Sequence, residues 1–280
     1  MEQGYDGVDR TGLRRSLCPQ PTMSPRQEGG IMSFKSTALE SLPHQFIDAE
    51  KVFNLRDVGG WDAADGKKVR TGRVFRSDNL GMVTEADVDL LVNRLGVRHV
   101  IDLRRAEEWE VAGRFPETPG VEFHHFELLH VRWEAIGREY PEGADVVPFL
   151  RQRYSGMFES GYRSVRDSLD VIASGEPVLF HCMAGKDRTG LVAAALLSVL
   201  GVDEADIAAD YALSNVGIAR WRAWRDANLG KPAAESGLTT PAEAMAATIA
   251  EMKERFGSMR DYVRATGFDR AEALREQLLH

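Results

Sequence analysis

Cysteine is scarce in this chain. Its 280 residues include two, Cys18 and Cys182, far apart in the sequence. That excludes a disulfide scaffold and favours a reducing, cytoplasmic setting. Long apolar runs are also lacking. A membrane-spanning helix needs roughly 18–20 apolar residues, and the most apolar stretch, residues 191–202, is shorter and contains Ser198 and Gly201. The opening segment MEQGYDGVDRTGLRR carries acids early and has no apolar centre, so it does not read as a secretory signal. Positive charge is not in excess: 35 Lys and Arg stand against 43 Asp and Glu, a net charge of -8. A general nucleic-acid binder would be basic, so no nucleic-acid partner is expected.

What is present suits a folded enzyme. The chain is 43% hydrophobic and 28% charged, ordinary for a globular protein and enough for a sizeable core. Residues 1–35 are rich in Gly and Pro and show no apolar period. They are expected to be a disordered or appended tail, with Met32 as a candidate start. Residues 36–280 are expected to form a single domain, with lid elements near 128–160 and 214–240. Short strands are expected at 52–54, 72–76, 98–103, 121–127 and 177–181. Helices are expected at 84–95, 106–111 and 189–200, with two more over 147–173 broken near Ser160-Gly161. Beyond Gly201 only helices are expected, at 203–212, 214–228 and about 240–256, then two short ones. In the helix near 240, Thr240 reads as the cap and Pro241 as the first residue. This alternation predicts an α/β fold: a central, mainly parallel sheet flanked by helices, with extra C-terminal helices.

The chemistry concentrates in residues 178–190, VLFHCMAGKDRTG. A buried strand leads to Cys182, five residues follow, then Arg188 and a helix. A strand-to-helix turn of this length can curl its backbone N–H groups inward and form an anion nest at a helix N-terminus. Met183, Ala184, Gly185, Lys186, Asp187 and Arg188 would line that ring. Gly185 allows the turn without a Cβ clash, and Arg188 can hold two phosphate oxygens in bidentate fashion. The positive field at the base of the ring favours the thiolate of Cys182. In-line attack on a bound phosphoryl group would give a cysteinyl-phosphate, which water then hydrolyses. His181 would orient the loop and influence the thiolate. Thr189 would hydrogen-bond the thiolate as it departs, or cap the helix.

This segment resembles the cysteine-dependent protein tyrosine phosphatases. More narrowly, it resembles the atypical bacterial members that are similar to lipid phosphatases, whose loop reads HCxxGKDRT. The stretches NLRDVGG (54–60), FRSDNL (75–80), IDLR (101–104), ADY (209–211) and Ser214-Asn215 are similar to that family too, as is the C-terminal region around Tyr262-Val263. The resemblance covers roughly residues 45–280. It implies hydrolysis of phosphotyrosine, and of phosphoserine, phosphothreonine or phosphoinositides, without a metal or other cofactor. Lys186 adds positive charge that would suit a phosphoinositide headgroup, or else it only completes the anion site. Asp187 either protonates the leaving oxygen or positions Arg188 and the water; the tight ring favours positioning.

Phosphotyrosine leaves poorly unless protonated, so an acid is expected from another loop. Relatives can present an Asp just after the strand that corresponds to 121–127, but here FHHFELLH contains none. Glu127, His130, Glu134 and Asp102 are the candidates, Asp102 with the competing reading of a structural pair with Arg. The pairs Arg56-Asp57 and Arg76-Ser77-Asp78 are expected to anchor loops. His124 and His125 face opposite sides of a strand, and with His130 they do not read as a metal site. In the Arg220–Arg225 segment, the Trp side chains are expected to pack on the core and the Arg side chains to face solvent. The competing functions are a phosphoinositide phosphatase, a phosphate-binding pseudophosphatase, and a rhodanese-like sulfur transferase, which Arg188 and the following Thr-Gly disfavour.

Overall fold

Among the described residues, five strands and ten α-helices follow one another in the order that the sequence pattern suggests. They are β1 (Arg56–Asp57), β2 (Val74–Ser77), α1 (Glu85–Asp89), β3 (His99–Asp102), α2 (Ala106–Ala112), β4 (Glu122–His125), α3 (Val146–Ser160), α4 (Tyr162–Ile172), β5 (Val178–His181), α5 (Asp187–Leu200), α6 (Glu204–Ala212), α7 (Ser214–Leu229), α8 (Ala242–Phe256), α9 (Met259–Ala265) and α10 (Ala271–Leu278). The computed structural model describes residues 45–128, 145–230 and 239–280. The expected tail, His130, Glu134 and parts of both expected lids lie outside the described residues.

The strands form one sheet in the order β1-β2-β5-β3-β4. β1 runs antiparallel to β2, and the other neighbours are parallel. β5 is central, which explains its unbroken apolar run: a strand covered on both faces needs apolar residues at every position. The side chains alternate accordingly. Val178, Phe180 and Ile101 face a large core shared with α3, α4, α5, α6, α8 and α9. Leu179, Val100 and Phe75 face a smaller one with Leu90, Leu91 and Val92. α5 is buried almost along its whole length. It sits behind the sheet and presents its N-terminus at the end of β5. Its last turn closes at Gly201, in the left-handed conformation.

Several boundaries differ from expectation. The first strand is not at 52–54 but at Arg56–Asp57, because the Asn54 N–H is taken by the Asp78 carboxylate (3.0 Å) and not by a neighbouring strand. The helix after Thr84 starts as expected, with a reciprocal capping box between Thr84 and Asp87. From Leu90 to Arg94 it widens into a π-type turn, closed by the Leu95 N–H on the Leu90 carbonyl. α8 starts one residue later than expected. Pro241 is its cap residue, and the Thr240 N–H donates to Asn215 Oδ1 (2.8 Å). α3 lies in the core through Leu150, Tyr154, Met157 and Phe158, so this part of the expected lid is instead structural. In α7, Trp224 stacks on Phe53, whereas Trp221 remains 39% exposed.

The burial of α5 sets a stability expectation. Leu196 is fully enclosed, so Leu196→Ala should cost about 2–5 kcal/mol. Urea unfolding should show this as a lower midpoint at unchanged slope. A loss below about 1 kcal/mol would contradict the packing described.

Candidate active site

The loop from Cys182 to Lys186 leaves the end of β5 and enters α5, so it meets the positive end of a long buried helix. Three successive carbonyls of this loop are turned outward and held there. The Met183 carbonyl accepts the Asn79 N–H (3.0 Å). The Ala184 carbonyl accepts from Asn54 Nδ2 (3.1 Å). The Gly185 carbonyl accepts from both Asn54 Nδ2 (3.1 Å) and Arg76 Nη2 (2.9 Å). With its carbonyls tied to the periphery, the loop has its amides available for an anion. Gly185 sits at φ 67°, and a Cβ there would lie 2.4 Å from the Ser77 carbonyl oxygen. Only glycine fits.

The groups that hold the loop are themselves held by a buried charge cluster. Arg76 pairs with Asp210, and Arg56 reaches the same carboxylate at 3.4 Å. Arg56 also donates to Asn54 Oδ1 (2.6 Å), the Asp210 carbonyl and Ser214. Burial alone would push the Asp210 carboxyl up; Arg76 and Arg56 outweigh it and hold it below its usual range. A Cβ on Gly217 of α7 would lie 2.4 Å from Asn54 Oδ1, so this helix can approach only through glycine. Asp57 closes the adjoining turns through the N–H groups of Gly59 (2.7 Å) and Gly72 (2.6 Å). Anchoring, expected for the Arg56-Asp57 and Arg76-Ser77-Asp78 pairs, is what their geometry shows.

Cys182 is a free thiol, 2% exposed, at the base of the loop. Arg188, in the first turn of α5, is 7% exposed. Its two terminal nitrogens meet Glu108 of α2 in a bidentate pair at 2.6 and 2.9 Å. Burial opposes the charge on Arg188, but Glu108 and Cys182 raise its pKa above the ordinary value. Burial would likewise raise Glu108, yet Arg188 lowers it overall. Glu108 was not found by the sequence reading, because nothing local separates it from Glu107 and Glu110 on the same short helix.

The neighbouring residues divide into two groups. His181 is fully buried; its ring Nδ1 lies 3.2 Å from the Cys182 carbonyl and Nε2 lies 3.5 Å from Asp102. Burial lowers the His181 pKa to about 4 against the pull of Asp102, so the imidazole is neutral at pH 7. Asp187 receives the Tyr154 hydroxyl at 2.5 Å, and that hydroxyl meets Tyr211 at 2.6 Å. The Lys186 ammonium stands 4.0 Å from Asp187, and Lys186 is 7% exposed. The Thr189 hydroxyl is buried, with no hydrogen-bond partner among the described residues.

The candidate acids fare differently. Asp102 is fully buried and takes three hydrogen bonds from the Arg104 guanidinium. Burial acts to raise its pKa, but His181 and Arg104 lower it overall. A carboxylate held ionised in this way is not a proton donor, so the competing structural reading applies. Glu127 follows β4, and its carbonyl accepts the Ser164 hydroxyl (2.6 Å). Tyr154 and Tyr211 were also missed, since α3 and α6 meet the loop only through the fold.

A sequence model of the Tyrosine phosphatase family matches residues 47–280. A Cupriavidus necator protein whose name assigns it to the tyrosine-protein phosphatases is 30% identical over 226 residues, 77% of this chain and 81% of its own. The triple specificity protein phosphatase PtpB of Mycobacterium tuberculosis is 28% identical over 262 residues, 78% of this chain and 93% of its own. Among solved structures, the core catalytic domain of the PP-IP phosphatase SIW14 from S. cerevisiae aligns over 56% of this chain and 75% of its own, at 13% identity and a TM-score of 0.32.

The geometry makes one site-specific demand. Gly185→Ala should abolish binding of inorganic phosphate while leaving most of the fold intact, as judged by circular dichroism. Phosphate binding within threefold of the parent would contradict the steric argument. Sequence match and relatives together establish that the chain belongs to the tyrosine phosphatase family.

Proposed function

We propose that this chain hydrolyses phosphotyrosine in proteins, and phosphoserine and phosphothreonine with it, through a phosphoryl group carried on Cys182. The observation that supports this most is the coincidence of a thiol, three outward-tied carbonyls and a charged arginine within one loop of seven residues. The Cys182 thiolate attacks phosphorus from below, and the ester oxygen leaves opposite with a proton. Water then breaks the P–S bond and returns the thiolate. Amides of residues 183–188 and the Arg188 guanidinium stabilise the negative charge that the equatorial oxygens carry in both steps. A reducing, cytoplasmic setting suits a free thiol in this role. No helix among the described residues is long and apolar enough to cross a membrane.

Arg188 has a second duty in this scheme. Glu108 holds its fork in one orientation before substrate arrives, so the ordering cost is met by the fold and not by the phosphate. Asp187 serves as a positioning residue. The Tyr154 hydroxyl donates to it and holds its carboxylate in place beside the loop. Phosphoinositides form a second reading, supported by the position of Lys186 beside the loop. Its ammonium would add charge for a headgroup with several phosphates.

Two variants separate these roles. Cys182→Ser should release no phosphate from a phosphotyrosine peptide, a phosphoserine peptide or a phosphoinositide, and should still bind the phosphotyrosine peptide. Residual turnover in this variant would overturn the thiol mechanism. Asp187→Asn should lower turnover of p-nitrophenyl phosphate and of a phosphoserine peptide by a similar factor. A loss confined to the phosphoserine peptide, whose leaving oxygen needs a proton, would instead make Asp187 the acid, a role typically worth about 10²–10⁴ in rate.

A further inference from the structure

Far from the 182–188 loop, at the opposite end of β3, four side chains converge across three neighbouring segments of the sheet. His99 opens β3, and its register partner on the edge strand β4 is Glu122. His124 lies two residues further along β4 and so faces the same side as Glu122. His99 Nδ1 stands 3.0 Å from His124 Nε2 and 3.6 Å from Glu122 Oε2. His124 Nε2 stands 3.8 Å from Glu122 Oε1. On its other side, His99 Nε2 stands 3.1 Å from Glu176, in the turn before β5. The adjacent His125 faces away, with Nε2 on the Arg104 carbonyl (2.8 Å).

We propose that His99 Nδ1, His124 Nε2 and a Glu122 carboxylate oxygen form a binding site for a zinc-class divalent ion. Tetrahedral zinc with bonds of about 2.0–2.1 Å places its donor atoms roughly 3.3–3.4 Å apart. The two imidazole nitrogens stand 3.0 Å apart, and Glu122 turns one carboxylate oxygen to each, Oε2 to His99 at 3.6 Å and Oε1 to His124 at 3.8 Å, so a small turn of this exposed carboxylate brings either oxygen to that spacing. Two imidazoles and a carboxylate suit zinc and its neighbours over calcium or magnesium, which take oxygen donors. Glu176 supplies what such sites commonly have in addition. A carboxylate can only accept, so it fixes the proton on His99 Nε2 and leaves the lone pair on Nδ1, aimed at the metal. His99 is 10% exposed and His124 14% at the side chain, whereas Glu122 is 68% exposed. The site therefore has one buried donor, one half-buried donor and one that can swing in from solvent with the ion.

Along the sequence, His124 groups only with His125 and His130. The fold instead pairs it with a histidine 25 positions earlier, on the neighbouring strand. A bound ion would clamp the edge strand β4 to β3, and through Glu176 to the turn entering central β5. Its first effect would be on stability, since the ion ties strands together and none of its ligands touches the 182–188 loop.

The test uses the full chain with Cys18→Ser and Cys182→Ser, so that no thiol competes for metal. Equilibrium dialysis against zinc should give one ion per chain, and zinc should raise the melting temperature. His124→Gln and Glu122→Gln should each weaken binding at least tenfold and abolish the rise. Glu176→Gln should weaken binding by about tenfold, the usual effect of losing an outer partner. Cobalt(II) in the same site should show the visible absorption of a tetrahedral nitrogen and oxygen site, absent in His124→Gln. In the chain with its cysteines intact, all three variants should retain phosphatase turnover, which establishes that they fold. Equal zinc uptake by parent and variants, or no uptake by the parent at micromolar zinc, would overturn the proposal.

Discussion

Asn54 and Arg76 hold two carbonyls that would otherwise be free to turn inward, and the rest of the site depends on that restraint. A loop of seven residues has many conformations in which carbonyl oxygens face the centre and repel an anion. Tying Ala184 and Gly185 to the periphery removes them. The restraint is expensive to build. It rests on a carboxylate and two guanidiniums withdrawn from water. Such a cluster gives little net stability, yet losing one member leaves an unpaired buried charge, which costs about 3–5 kcal/mol. That asymmetry suits a scaffold whose task is to enforce one loop shape.

The sheet places every other participant. The end of β5 delivers His181 and Cys182, the end of β3 delivers Asp102 beside them, and β2 delivers Arg76 and Ser77. α2 brings Glu108 to Arg188, α3 brings the Tyr154 hydroxyl to Asp187, and α6 brings the Tyr211 hydroxyl to that of Tyr154. Arg188 and Asp187 are thus fixed from outside the loop. Electrostatics and packing agree here: Arg76 on β2 and Asp102 on β3 are both buried, the first paired with Asp210 of α6 and the second with Arg104.

The loop itself was legible because its signal is local. Thiol, glycine, arginine and the helix start all fall within one short segment, and the physics of a strand-to-helix turn requires them there. The alternation of strands and helices was legible for the same reason, as was the break at Ser160-Gly161. What could not be read depends on tertiary approach. Glu108 looks like any acid on a short exposed helix until Arg188 is placed beside it. Tyr154 reads as a core aromatic until its hydroxyl is seen to meet Asp187. The strand expected at 52–54 failed because Asn54 bonds a carboxylate 24 residues away. Pairing of His99 with His124 needs the strand register, which no single segment contains.

The central claim concerns Asn54. Binding of inorganic phosphate by calorimetry, to Cys182→Ser and to the same chain with Asn54→Ala, measures directly what the tied carbonyls contribute. Freed carbonyls should weaken phosphate binding at least tenfold, with secondary structure unchanged by circular dichroism. Equal affinities in two folded proteins would contradict the account and leave the loop shape to the backbone of 182–188 alone.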